Sequence, residues 1–289
     1  MTALSWWPAP AKLNLFLHIT GRRADGFHDL QTLFVPIELC DRIGISLRPD
    51  GRIQRAAGLA TVEPERDLAV RAARLLQQRT GSGQGADLHV IKHIPVGGGL
   101  GGGSSDAATV LLVLNRLWNT GLELPELARL GLELGSDVPV FVLGEPAWGE
   151  GRGEHLTPIA VPPRWYLVIH PGVAVGTAEI FQAPELTRNS PVITIRAFSA
   201  EQTNVCEPVV RARYPEVAEA LDWLASQVDR HGAPLQARLT GTGACLFAGF
   251  DRVEDAERIA ARVPDRWRSF VARGLARSPL HELLQRGAE

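Results

Sequence analysis

The run Pro95-Val96-Gly97-Gly98-Gly99-Leu100-Gly101-Gly102-Gly103-Ser104-Ser105 restricts this chain more than any other segment. Six of the seven residues from Gly97 to Gly103 lack a Cβ, so the backbone can turn tightly and bring its N–H groups against an anion. Before the run, Leu88 to Ile94 alternates apolar and polar residues as a strand does. After it, Ser105 to Trp118 is rich in Ala and Leu and stops before Gly121, as a helix does. Strand, glycine turn and helix together predict a phosphate cradle, because a helix N-terminus adds unsatisfied N–H donors and the positive end of a dipole. Ser104 or Ser105 is expected to cap that helix, with its hydroxyl available to a phosphate or a magnesium ion. Two other phosphate loops fit badly. A Walker loop ends in Lys followed by Ser or Thr, and here Gly103 is followed directly by Ser104. The letters of a dinucleotide fingerprint are met by Gly97, Gly99 and Gly102, but a run this dense in glycine meets them by accident, and the acidic ribose partner is not obvious.

Composition narrows the partners. The formal net charge of -2 gives no reason to expect a nucleic acid or an anionic membrane. No apolar span is long enough to cross a bilayer, and the start of the chain lacks the basic and apolar runs of a secretion signal. Cys40, Cys206 and Cys245 are odd in number and far apart, which is neither a disulfide framework nor a zinc spacing. They read as buried thiols of a cytoplasmic protein. With 45% apolar and 21% charged residues, a chain of 289 residues can build one large domain or two modest ones around a real core.

Two modest domains are expected. Leu13, Leu15, Leu17 and Ile19 alternate with Asn14, Phe16 and His18 in a strand, and a turn at Gly26 precedes a second apolar stretch, Leu33 to Leu39. Leu68, Ala72, Leu75 and Leu76 share a helical face that ends near Gly81. Another helix is predicted from Pro125 to Leu134, with Gly135 as its stop. After about residue 155, prolines punctuate shorter strands, including Trp165 to His170. Val217, Leu221, Leu224 and Val228 line one helical face; Leu235 to Leu239 and Cys245 to Phe250 flank a second glycine turn, followed by a helix near Val253 to Val263 and a strand near Ser269 to Ala272. The reading is an α/β (α+β) chain divided into residues 1–155 and 156–289.

Several segments carry a family resemblance. The glycine run resembles the ATP-binding motif of the GHMP kinases, named for galactokinase, homoserine kinase, mevalonate kinase and phosphomevalonate kinase. Pro10-Ala11-Lys12-Leu13-Asn14-Leu15 looks like that family's N-terminal motif, and Leu239-Thr240-Gly241-Thr242-Gly243-Ala244-Cys245 like its C-terminal glycine motif. Asp25-Gly26-Phe27-His28-Asp29-Leu30-Gln31-Thr32, Gly135-Ser136-Asp137-Val138-Pro139 and Ser278-Pro279-Leu280-His281 narrow the resemblance further. They are similar to the branch that phosphorylates a cytidine diphosphate-linked methylerythritol in the non-mevalonate isoprenoid pathway. The motifs run from about Trp7 to His281, essentially the whole chain.

The resemblance implies a two-domain architecture, an N-terminal ribosomal protein S5 domain 2-like domain plus a C-terminal ferredoxin-like domain, with ligands in the cleft between. It implies ATP as co-substrate on Pro95 to Ser105 (Pro95, Val96, Gly97, Gly98, Gly99, Leu100, Gly101, Gly102, Gly103, Ser104 and Ser105), with Mg2+ expected but no protein ligand assigned. Asp137 follows the Gly135 stop beside apolar Val138, Val140 and Phe141; by itself it reads as a helix cap or as a partly desolvated base. The family makes it the proton acceptor and places Lys12 beside it. Asn14 leaves the strand on the same face as Lys12 and is expected to hold the substrate hydroxyl or the aspartate. By resemblance, Phe27 and Phe181 sandwich a cytosine whose edge His28 reads, Thr177 lines the same pocket, and Thr240, Gly241 and Thr242 close over the reacting phosphoryl group. On its own the Thr240 to Gly243 turn is as readily a plain hairpin. The family usually has Tyr at the position of Phe27, and commonly Asn near the adenine at the position of Asp67. The implied partner is a small molecule; monomer and homodimer both remain open.

Overall fold

A computed structural model describes residues 3–58, 62–199, 202–231 and 233–286. The chain opens with two long antiparallel strands, β1 (Ser5–Arg22) and β2 (His28–Arg48), whose register runs from Ser5 opposite Ile45 to Arg22 opposite His28. Then come β3 (Ile53–Ala57), helix α1 (Leu68–Thr80), β4 (Gly85–Ile91), α2 (Gly102–Leu117), α3 (Leu124–Leu134), the short α4 (Val138–Leu143), β5 (Ala147–Glu150) and β6 (His155–Pro158). These strands form one sheet in the order β3-β4-β2-β5-β6, with β1 also paired to β2. Only the β3–β4 pair is parallel among its described pairings. Helices α1 and α2 bury Val70, Leu76, Val110 and Leu111 against Ile43, Ile45 and Leu88 of the sheet.

The second half begins with β7 (Trp165–His170) and continues through α5 (Thr177–Gln182), α6 (Glu207–Arg213), α7 (Pro215–His231), β8 (Leu235–Leu239), β9 (Leu246–Phe250), α8 (Val253–Ala260), β10 (Arg268–Arg273) and α9 (Pro279–Arg286). Its sheet is antiparallel with order β10-β7-β9-β8. Counted within this half, that is fourth, first, third, second, the ferredoxin-like arrangement. Val217, Leu221, Leu224 and Val228 of α7 face its core as their spacing requires. A third core joins the halves: Leu13, Phe16 and Val35 from the first sheet meet Tyr166, Val168 and Phe247 from the second.

Glycine and proline punctuation places several ends where the sequence puts them. Gly81 terminates α1 at φ 68°, and Gly135 follows α3, which carries Pro in its first turn. In β1, Asn14, Phe16 and His18 are buried along with Leu13, Leu15, Leu17 and Ile19 on the alternate positions. One expectation needs correction: α2 starts inside the glycine run, its N-cap is Gly101, not Ser104 or Ser105, and Ser105 is fully buried in the first turns. Among the described residues no helix is long and apolar enough to cross a membrane.

Because Phe247 is fully buried in the core shared by both sheets, Phe247→Ala is expected to cost about 3–5 kcal/mol. Chemical unfolding followed by tryptophan fluorescence should show the loss as one shifted transition and not as the separate melting of one half.

Candidate active site

The glycine loop is held by its carbonyls. Gly97 O accepts from Ala244 N at 3.2 Å and Gly98 O from Cys245 N at 3.0 Å. Gly99 O accepts from the Lys12 ammonium at 3.0 Å, and Leu100 O from Lys12 N at 3.0 Å. Left-handed φ angles of 70°, 72° and 72° at Gly97, Gly99 and Gly101 make this turning possible. The Gly99 position also admits nothing larger: a Cβ there would stand 2.3 Å from Thr240 O. With the carbonyls turned into the protein, the N–H groups from Gly99 to Ser104 have no protein acceptor among the described residues. The loop lines a cleft of about 430 Å³. A row of free amides continuing into the N-terminus of α2 is an anion cradle.

Lys12 rises from β1 beneath this loop and is 3% exposed. Its ammonium meets Asn14 Oδ1 at 2.5 Å, Gly99 O at 3.0 Å and Asp137 Oδ2 at 3.2 Å. All three of its N–H donors are thus matched, which a buried ammonium requires. Asn14 is fixed in turn, donating Nδ2 to Thr32 Oγ1 at 2.9 Å and its backbone N–H to Thr240 Oγ1 at 3.0 Å. Asn14 is expected on the substrate hydroxyl or the aspartate; among the described residues its side chain instead meets Lys12 and Thr32. Asp137 sits at the N-terminus of α4, where Val138 to Val142 turn inward and are buried. The carboxylate itself turns to the cleft and is 35% exposed. The far end of α4 is pinned by the Ser278-Pro279-Leu280-His281 segment: Gly144 O accepts from Ser278 N at 2.6 Å, and the His281 ring Nε2 lies 2.8 Å from Val142 O. That motif is a brace for the helix carrying Asp137.

The second glycine turn closes the cleft from the other half. Thr242 Oγ1 lies 3.1 Å from Thr177 Oγ1, and Asn204 Nδ2 donates to Leu239 O at 3.0 Å and Gly241 O at 2.7 Å. Thr177, Phe181, Gly241 and Thr242 all line the cleft alongside Lys12, Asn14, Asp137 and the loop.

The expected aromatic sandwich is not present as drawn. Phe181 stacks on His28, with ring centroids 5.3 Å apart and planes at 24°, while Phe27 is half exposed beneath the Arg152 guanidinium, 4.6 Å from its ring centroid. The reason is local: the tip between β1 and β2 is fixed by Arg23 and Asp25, and Asp25 Oδ1 accepts the Phe27 N–H at 3.1 Å. His28 also meets Arg188 Nε at 3.1 Å.

Sequence reasoning missed a buried cluster under the start of α2. Lys92, just past β4, donates to Asp106 Oδ2 at 2.7 Å and to Asp41 Oδ2. Asp41 Oδ1 accepts the backbone N–H groups of His93 and Ile94, at 2.6 and 2.9 Å. The second oxygen of Asp106 has no partner. Burial pushes the Asp106 carboxyl up to about 7, against the pull of Lys92 and with the repulsion of Asp41. Lys92 stays on the raised side because its two carboxylates outweigh its own burial. Asp106 thus lines the cleft beside the loop with one carboxylate oxygen held by Lys92. The available signal was a Lys two residues before Ile94 and an Asp just after the glycine run, neither unusual alone. Asp67 is committed as well: Oδ1 caps α1 through Ala69 N at 3.0 Å and Oδ2 pairs with Arg55 at 3.0 Å.

With this geometry in place, comparison with known proteins is decisive. Residues 67–145 match the GHMP kinases N terminal domain and residues 184–269 the GHMP kinases C terminal domain. The chain is 56% identical to the 4-diphosphocytidyl-2-C-methyl-D-erythritol kinase of Halorhodospira halophila, covering 100% of this chain and 99% of that protein. This chain belongs to the GHMP kinase family. It is a phosphotransferase, and ATP is the co-substrate of its family. The 4-diphosphocytidyl-2-C-methyl-D-erythritol kinase of Alkalilimnicola ehrlichii is 57% identical over 96% of this chain and 94% of its own length. A crystal structure of 4-(cytidine 5'-diphospho)-2C-methyl-D-erythritol kinase superposes with a TM-score of 0.79 at 33% identity, covering 93% of this chain and 99% of that one.

The Asp106 cluster makes a pH prediction for this kinase. A carboxyl raised in the folded state keeps its proton where the unfolded chain has released it, so its contribution to stability is full below about pH 4 and declines until about pH 7. Asp106→Asn removes that ionisation while keeping an acceptor for Lys92. Urea unfolding across this range should show variant stability gaining on the parent as pH rises, by at most about 1.4 kcal/mol per pH unit, and levelling above.

Proposed function

We propose that this chain transfers the γ-phosphoryl group of ATP to the 2-hydroxyl of 4-diphosphocytidyl-2-C-methyl-D-erythritol, a step of the non-mevalonate (methylerythritol phosphate) route to isoprenoid precursors in the cytoplasm. One observation carries the chemistry: the ion pair of Lys12 and Asp137, 3.2 Å apart, lies in the same cleft as the free amides of the glycine loop. Identity of 56–57% to kinases named for that acceptor, over nearly the whole chain, carries the choice of substrate.

Phosphoryl transfer asks the protein mainly to position groups and to stabilise spreading negative charge. In this reading the amides of Gly99 to Ser104 hold the triphosphate. Asp137 accepts the proton of the attacking hydroxyl, its exposure leaving room for that oxygen to approach. Lys12, already on Gly99 O, places its positive charge between the acceptor oxygen and the loop, and Asn14 keeps it there. Thr240, Gly241 and Thr242 complete the cradle from the other half, and the Thr177–Thr242 contact ties that turn to the substrate side. Phe181, His28 and Phe27 receive the cytosine, with stacking as the main attraction. Phe27 must leave the Arg152 guanidinium to take part.

Mg2+ is expected with ATP and supplies charge neutralisation of the triphosphate. Asp137 and Asp106 beside the loop are each paired with an ammonium and Asp67 with a guanidinium, so they do not fit it as a ready oxygen-ligand set, and no step here runs through the ion.

Incubating the protein with ATP and a panel of alcohols that includes this acceptor, homoserine and mevalonate tests the reading. Mass spectrometry and 31P NMR should find the 2-phosphate of the cytidine compound; phosphorylation of another alcohol in its place overturns the assignment. Asp137→Asn is expected to lower kcat by about 10²–10⁴ with little change in ATP affinity. Near-normal turnover would remove Asp137 from the mechanism.

A further inference from the structure

Arg188 has no part in the mechanism above, yet four of its guanidinium N–H donors are engaged around Phe181 and His28. Nη2 donates to the carbonyls of Phe181 and Ala183 at 2.9 and 2.8 Å, and Nη1 to that of Leu186 at 3.0 Å. Those groups stand at and just beyond the end of α5, where helix carbonyls lack intrahelical partners. Nε in turn reaches His28 Nε2 at 3.1 Å. One planar cation therefore bonds the backbone of Phe181 and the ring that stacks on its side chain.

This contact decides the state of the histidine. A guanidinium has donors only, so His28 Nε2 must accept. A doubly protonated ring has no acceptor, and a neutral ring that accepts at Nε2 carries its proton on Nδ1. Desolvation and then the Arg188 and Arg22 guanidinium groups hold His28 below the ordinary histidine range, consistent with a neutral ring. No protein group meets Nδ1 among the described residues.

We infer that Arg188 is a positioning residue for the nucleobase: it locks His28 as the Nδ1–H tautomer on the face of Phe181, so that the pocket offers one hydrogen-bond donor to a base bearing a carbonyl or ring-nitrogen acceptor. Cytosine has such acceptors at O2 and N3. The base preference rests on the cytidine-linked acceptor proposed above, whereas the tautomer lock rests on the protein alone.

The two are tested separately. In protein labelled with 15N-histidine, long-range 1H–15N spectra without substrate should show His28 protonated at Nδ1 and bare at Nε2 near neutral pH. Arg188→Ala, and Arg188→Lys, which cannot span the same carbonyls and the ring, should shift His28 toward the Nε2–H tautomer or a mixture. Kinetically, both variants should raise KM for the cytidine-linked acceptor about tenfold, leaving kcat and KM for ATP near the parent values. A parent protonated at Nε2, or variants in which tautomer and acceptor KM are unchanged, overturns the inference. A parent that fails to phosphorylate the cytidine compound sinks the functional reading instead, and the spectrum then still decides the lock.

Discussion

The Lys12 ammonium is the point at which the separate parts of this molecule are tied to one another. It hangs from β1, holds a carbonyl of the glycine loop, and pairs with a carboxylate at the start of α4. Asn14 occupies its third donor and is itself bonded to Thr32 on β2 and to Thr240 of the second half. A cation buried this deeply is tolerated only where every donor is matched. The same bonds that satisfy the lysine therefore fix the distance between loop and carboxylate.

The loop obeys a complementary constraint. Its carbonyls are taken by Ala244, Cys245 and Lys12, which leaves the loop's amides to face the cleft. That inversion depends on close backbone approach between halves. Gly99 lies so near Thr240 and Gly243 that any side chain would force the two turns apart. The anion cradle is consequently a property of the interface between the sheets and not of the glycine run in isolation. The buried core of Leu13, Phe16, Tyr166 and Phe247 stabilises the interface that makes it.

Local patterns were legible where local physics decides them. The spans of α1, α3 and β7 follow from periodicity and from Gly81, Gly135 and proline punctuation. Lys12 and Asn14 share a face because strand side chains alternate, and the glycine run stands between strand and helix as its composition requires. Less legible was the start of α2, which reaches back into the glycines with Gly101 as its N-cap in the left-handed region. The Lys92, Asp41 and Asp106 cluster and the Arg188–His28 contact join residues far apart in the chain, with no local pattern to announce either.

The amino-acid sequence by itself determined the kind of backbone available: a glycine segment able to present amides, helices with defined stops, and the residue types for moving a phosphoryl group. Only the tertiary structure decided that the ammonium, the carboxylate and those amides share one cleft, that Phe181 meets His28 and not Phe27, and that Asp106 pairs with Lys92. The physical reason is that periodicity and turn chemistry act over a few residues, whereas charge pairing and close packing depend on which distant segments the two sheets bring within about 3 Å of each other.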